Sequence, residues 1–201
     1  MRFLIGVGTI FLGLIGILLF RYIQIRSVPS FTPQPSTFTL QPPAQAITAT
    51  LSQSTGVVEQ FTRQADDYQE ATPGGIIHHG ESIATKRGAA TITLANLGIV
   101  SLRDDAEISF VNLIPDSLMF LHTAGVIDYK THASIRALHA LVELAGDATI
   151  SVDAPIVKIL VTSGTAKIAL VDNENNTNVW NFVQSQSAIV NDETRTIVYS
   201  F

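Results

Sequence analysis

Along residues 88–110, GAATITLANLGIVSLRDDAEISF, apolar and polar side chains alternate with a period of two. Ala90, Ile92 and Leu94 fall on one side, Thr91 and Thr93 on the other. After Asn-Leu-Gly the alternation resumes with Val100 and Leu102 inward against Ser101 and Arg103. After Asp-Asp-Ala it resumes again with Ile108 and Phe110. Successive side chains of an extended strand point to opposite faces, so this pattern predicts strands with one buried face. Turn-forming residues recur at IPDS (114–117), TAG (123–125), AGD (145–147), TSG (162–164), DNENN (172–176) and NDE (191–193). Short alternating runs broken by such signals predict an all-β domain: a β-sandwich, a β-roll or a β-helix-like fold. One segment fits two periods. HASIRALHALVELAG, 132–146, also places Ala133, Ala137, Leu141 and Leu144 at helical spacing. Strand or irregular structure is expected there, with a short helix as the alternative.

The pattern differs ahead of this region. Residues 3–20, FLIGVGTIFLGLIGILLF, form an uncharged run. As a helix it would reach roughly 27 Å, close to the hydrocarbon thickness of a bilayer. The run is long for a signal peptide, and RYIQIRSVPS follows it in place of a small-x-small cleavage site. Residues 1–26 are therefore expected to be an uncleaved transmembrane anchor, with 3–20 in the lipid bilayer. Its glycines, at 6, 8, 13 and 16, are never four apart, so no GxxxG dimerisation face is present. Residues 27–50 hold five of the eight prolines and no charge, which predicts an extended linker. The all-β domain is expected over 51–201.

Charge and composition narrow the classes of function. All seventeen Asp and Glu residues lie at Glu59 or later, and only Arg2, Arg21 and Arg26 are charged before it. Beyond residue 58, nine basic residues face seventeen acids, a net of −8 (9 − 17). Such a surface repels phosphate backbones, so nucleic acid is not an expected partner. The absence of cysteine removes disulfides, thiolate metal sites and cysteine nucleophiles. Arginines flank the apolar run on both sides, so charge alone does not orient it.

The order of the motifs resembles the FecR domain family, the extracytoplasmic domain of bacterial transmembrane regulators of the iron-dicitrate sensor type. The matching stretches are GVVEQF (56–61), GGIIHHGESIAT (74–85), AATITLANLGIVSLRDDAEISF (89–110), SLMFLHTAGVID (117–128) and ISVDAPIVKILVTSGTAKIALV (150–171). VWNFVQSQSAIVNDETRTIVYSF (179–201) would supply closing strands. Glu81 stands where the family usually has Asp, and ANLG replaces an Asp-Gly turn. The resemblance implies the family's β-rich fold and an extracytoplasmic location. Regulators of this family carry a cytoplasmic segment that grips a sigma factor. Only Met1 and Arg2 precede the apolar run here, so the anti-sigma activity is not expected to carry over.

Candidate chemistry is sparse. His78, His79 and Glu81 lie within four positions, but adjacent strand residues face opposite ways and cannot share one ion. Zinc needs three or four convergent ligands, and His122, His132 and His139 are distant in sequence. Gly80 is expected to supply permissive backbone angles, Glu81 and Ser82 to bond turn amides, and the histidines to lie at an edge or on the surface. Asp104, Asp105 and Glu107 could act as the carboxylates of a glycan hydrolase or hold calcium, though solvated turn acids are the simpler expectation. DNENN lacks the closing glutamate of an EF-hand, and Ser163 lacks a G-x-S-x-G elbow. Trp180 could stack a sugar but is expected in the core. Asp66, Asp67 and Glu70 are expected in an exposed acidic loop. No catalytic, metal-binding or cofactor-binding residues are expected. The chain is expected to be a non-enzymatic, single-pass membrane protein whose extracytoplasmic domain binds a protein or glycan partner, senses, or scaffolds the envelope. The alternatives are an anti-sigma-type transmembrane regulator and an envelope glycan hydrolase using Asp104, Asp105 or Glu107.

Overall fold

The computed structural model describes residues 46–65 and 67–200. The expected membrane anchor, nearly all of the expected linker and Asp66 lie outside the described residues. Within them the chain is all-β, its strands joined by turns and one short 3-10 turn at Pro115–Ser117. In chain order the strands are β1 (Ala49–Phe61), β2 (Tyr68–Glu70), β3 (Ile76–Ile77), β4 (Ser82–Thr93), β5 (Gly98–Leu102) and β6 (Glu107–Asn112). They continue with β7 (Met119–Ala137), β8 (Ala140–Asp153), β9 (Ile156–Val171), β10 (Thr177–Val183), β11 (Ser187–Asn191) and β12 (Thr196–Ser200). All pair antiparallel in one sheet of order β12-β11-β9-β8-β7-β5-β4-β1-β2. β10 adds to β9, β3 to β1, and β6 lies between β4 and β7. Residues 132–146 resolve as strand. They form the end of β7 and the start of β8, joined by a tight turn with Leu138 at φ 53°. β1 begins inside the segment assigned to the linker, and Ile47 already packs on the core and bonds Leu113 O at 2.9 Å.

The long strands change partners midway. β4 pairs with β6 through 82–84 and with β5 through 90–93. Near each such change the same local device appears. Thr85 and Arg87 of β4 pair with Val58 and Val57, leaving Lys86 as an extra residue. His122 and Ala124 of β7 leave Thr123, and Val161 and Ser163 of β9 leave Thr162. A bulge of one residue bends a strand and reverses which side chains face inward. Ile83 and Thr85 are buried before the first bulge, and Ala90, Ile92 and Leu94 after it. Phe120 and His122 are likewise followed by Ile127, Tyr129 and Thr131, and Ile159 and Val161 by Ala166, Ile168 and Leu170. Each bulge ends in a glycine at positive φ: Gly88, Gly125 and Gly164. TAG and TSG are thus corners inside continuous strands, not the predicted turns. AGD is not a turn either, because Gly146 faces Gly164 across the β8–β9 ladder. A glycine among small polar residues gives the same sequence signal in a loop and in a bent strand. IPDS, DNENN and NDE do form turns.

The buried side chains make one core, and among the described residues no second sheet and no packed helix covers it. The sheet therefore covers itself by folding at the corners. The fourteen residues of β8, if straight, would span about 45 Å. Yet both of its ends reach Asp192. His139, just before β8, donates its N–H to Asp192 Oδ1 at 3.1 Å and brings its ring Nδ1 within 2.9 Å of both carboxylate oxygens. Pro155, just past the other end, accepts the Asp192 N–H at 2.8 Å. The bent sheet surrounds a core filled by Phe110, Phe120 and Tyr129, with ring centroids 5.5 and 6.1 Å apart in succession. Asp192→Ala removes the carboxylate clamp but keeps the backbone bond. A loss of about 1–2 kcal/mol is expected in chemical denaturation, with the slope against denaturant unchanged.

Candidate functional surface

The His-His-Gly-Glu stretch is a turn built around a carboxylate. β3 ends at Ile77, so His78 and His79 lie in the turn itself and not on alternate faces of a strand. Glu81 Oε2 accepts the His78 N–H at 2.8 Å and the Gln60 Nε2 amide at 2.9 Å, while the Glu81 N–H closes the turn on His78 O at 3.1 Å. Gly80 takes φ +79°, and the Arg63 guanidinium occupies the space that a Cβ there would need. His78 is exposed. His79 is half-buried, with its Nδ1 shielded and without a hydrogen-bond partner. Ser82 does not bond a turn amide; its hydroxyl pairs with Ser109 Oγ at 2.7 Å. Replacing Glu81 by alanine strips the turn of its acceptor and is expected to cost about 1–2 kcal/mol, with Glu81→Gln costing less because it retains one oxygen. Thermal melts of the two variants provide the check.

Several of the candidate acids serve separate structural tasks. Asp104 Oδ1 accepts the Gly88 N–H at the first corner. Glu107 accepts the Tyr68 hydroxyl at 2.8 Å. That phenol is pushed up to about 12, by burial first and then by its bond to Glu107 and the charge there. Asp105 occupies the turn between β5 and β6 at φ 51°. Asp67 accepts the Tyr68 N–H, and Glu70 lies opposite Glu59 in the β1–β2 ladder. In DNENN, Asp172 accepts N–H bonds from Asn176 and Glu174 and side-chain amide bonds from Asn176 and Asn178. Those bonds, the Asn176 N–H foremost, hold its carboxyl below the ordinary carboxylate range. Ser163 is exposed at a corner, and Trp180 is half-buried against the core. Among the described residues no three His, Asp or Glu side chains converge as a metal site would require.

Two features went unread in the sequence. His122 is fully buried in β7, its Nε2 between the carbonyls of Ala124 (3.2 Å) and Gly125 (3.1 Å), its Nδ1 without a partner. Burial lowers its pKa from 6.5 to about 4. Its place as the third residue of a Phe-Leu-His-Thr-Ala-Gly corner, aligned with Thr85 and Val161, was the available signal. The second feature is the edge strand β10, which pairs only with β9 among the described residues. It has seven residues and no charge. Its Val179 and Val183 are exposed, Val179 to 55%, as is Val171 opposite it on β9. The strand order itself ends at β12, five residues with Val198 exposed, and at β2, which is three residues long and set among Glu59, Asp67 and Glu70. Open edges need charge, proline or shortness to resist pairing. β2 has shortness and charge; β10 has none of these.

The fold and these surfaces define an all-β domain with structural polar groups at its turns and an open, apolar strand edge. No family model matches the chain, and no curated protein does. Two solved structures share the fold, crystal structures at 2.50 and 1.65 Å of a protein from Parabacteroides distasonis ATCC 8503 described as a "putative anti-sigma factor". Each aligns with a TM-score of 0.51 and 15% identity, over 59% of this chain and 58% of that one. At this identity the likeness is one of fold, and it spans less than two thirds of that protein.

Proposed function

We propose that this chain is a membrane-anchored, extracytoplasmic FecR-like module that works by binding a protein partner, not by catalysis. The observation that carries the reading is the contrast between β10, uncharged and open, and the candidate acids Glu81, Asp104 and Glu107, each of which accepts a structural hydrogen bond in a different part of the fold. Strand addition at an open edge gives affinity through main-chain bonds and selectivity through side chains on alternate positions. The apolar run 3–20 would hold the module at the bilayer. Protease treatment of intact cells and spheroplasts tests the location. Digestion of the β domain in spheroplasts is expected, and full protection there would place it inside and overturn the reading.

The fold likeness to a protein described as an anti-sigma factor favours a second reading, a regulator of that type. Under it, a sigma factor should co-purify with the full chain from detergent-solubilised membranes. Under the first reading none should.

A further inference from the structure

We infer that β10 pairs with β10 of a second copy of this chain, antiparallel about a two-fold axis through Val179. The inference rests on the binding-module reading and names its partner.

The backbone sets the register. Val183 spends its N–H on Gln186 Oε1 (2.8 Å) and its carbonyl on the Gln186 N–H (3.1 Å), so neither serves the ladder to β9. At the other end of the strand, the Asn176 carbonyl accepts the Asp172 N–H at 3.0 Å, on the β9 side. Alternation between these two ends turns the peptide groups of Thr177, Val179 and Asn181 to the open side. An axis at Val179 pairs Val179 with its own image and Thr177 with Asn181 of the other copy. All three open residues of each copy then find complementary partners.

The side chains agree with that axis. Leu141, Ala169 and Val179 stand in one row across β8, β9 and β10. They line a shallow groove of about 250 Å³ with Glu143 and Lys167. The row ends in the open at Val179, so the two-fold axis continues it into the same row of the second copy. Glu143 and Lys167, in the next row, are already paired at 3.6 Å. No like charges meet. The Asp172–Asn176 turn would lie across Gln184 and Gln186 of the other copy, and Asp172 is already surrounded by donors. A one-strand interface is small and its association in solution weak. Confinement of two copies to one membrane would raise their effective concentration.

The chain has no cysteine, so single engineered thiols report cleanly on the pairing. Opposed residues of an antiparallel pair lie within disulfide reach, and residues displaced by four positions do not. The full chain is reconstituted in phosphatidylcholine vesicles and oxidised mildly. Val179→Cys is expected to cross-link to itself at least several-fold more than Val57→Cys, an exposed residue on another strand. Thr177→Cys and Asn181→Cys, carried on chains of different tag length, are expected to cross-link when mixed and neither alone. Cross-linking of Val179→Cys no greater than Val57→Cys, or of Thr177→Cys alone as readily as the mixture, would overturn the pairing. In cells, a Val179→Cys disulfide to a different protein would refute self-pairing while leaving edge binding intact. Only the protease experiment bears on the location, so the two failures are separable.

Discussion

Replacing Gly88 by alanine is expected to destabilise the β domain by about 4 kcal/mol, whereas Gly74→Ala should cost about 1–2 kcal/mol. Both glycines have positive φ, +120° and +88°. They differ in what surrounds them. A Cβ on Gly88 would lie 1.9 Å from Thr55 O and 3.0 Å from the Cα of Gly56, all backbone of the neighbouring strand. A Cβ on Gly74 would meet nothing within 4 Å. Gly88 and Gly56 are directly paired, so neither strand can withdraw without breaking the β1–β4 ladder at its bend. Domains of this size are stable by only about 5–15 kcal/mol, so the Gly88 variant stands near the limit of folding. Urea midpoints of the two variants make the comparison. Equal losses at both positions would show that backbone conformation, not the approach of the strands, governs the corner.

Acidification is expected to weaken the protein well above the range where its carboxylates titrate, and His122 is the reason. The imidazole is neutral in the fold because burial lowers its pKa to about 4, while in the unfolded chain it takes up a proton near 6.5. Between those values the unfolded state binds the extra proton, so stability falls as pH drops from about 6.5 to 4 and is fully present above that window. Converted at 1.36 kcal/mol per pH unit, the gap amounts to about 3 kcal/mol. A second proton would have to sit on Nδ1, which has no acceptor, beside the Tyr129 ring 6.0 Å away. The carboxyl of Asp172, held low by its amide bonds, adds stability that is lost only at still lower pH. His122→Phe should flatten the wild-type slope between pH 6.5 and 4. A variant that keeps the slope would assign it to other groups.

Much of the all-β fold was legible from period two. Ala90, Ile92, Leu94, Val100, Leu102, Ile108 and Phe110 are all buried as the alternation predicts. The corners were misread because a glycine after a small polar residue signals a turn in isolation. Only comparing Ile83–Gly88, Phe120–Gly125 and Ile159–Gly164 shows one device used three times. The His78–Glu81 turn was correct in its glycine and its glutamate, since both act through local backbone geometry. Ser82 was not, because its partner Ser109 comes from another strand. The contact of His139 with Asp192 joins residues 53 apart and has no local signature. The solitary burial of His122 was hidden for a related reason. Its inward direction depends on which side of a bulge it falls.

The same device governs which changes of length the chain can absorb. Extra residues inserted at 172–176 would lengthen a surface hairpin and leave the strands beside it in phase. Loss of Thr162 alone would shift the parity of one arm of β9 against the other. Ile159 and Val161 would then turn to water and Lys158 and Leu160 to the interior. In this protein, a one-codon deletion at a corner is a graver event than a long insertion at a hairpin tip.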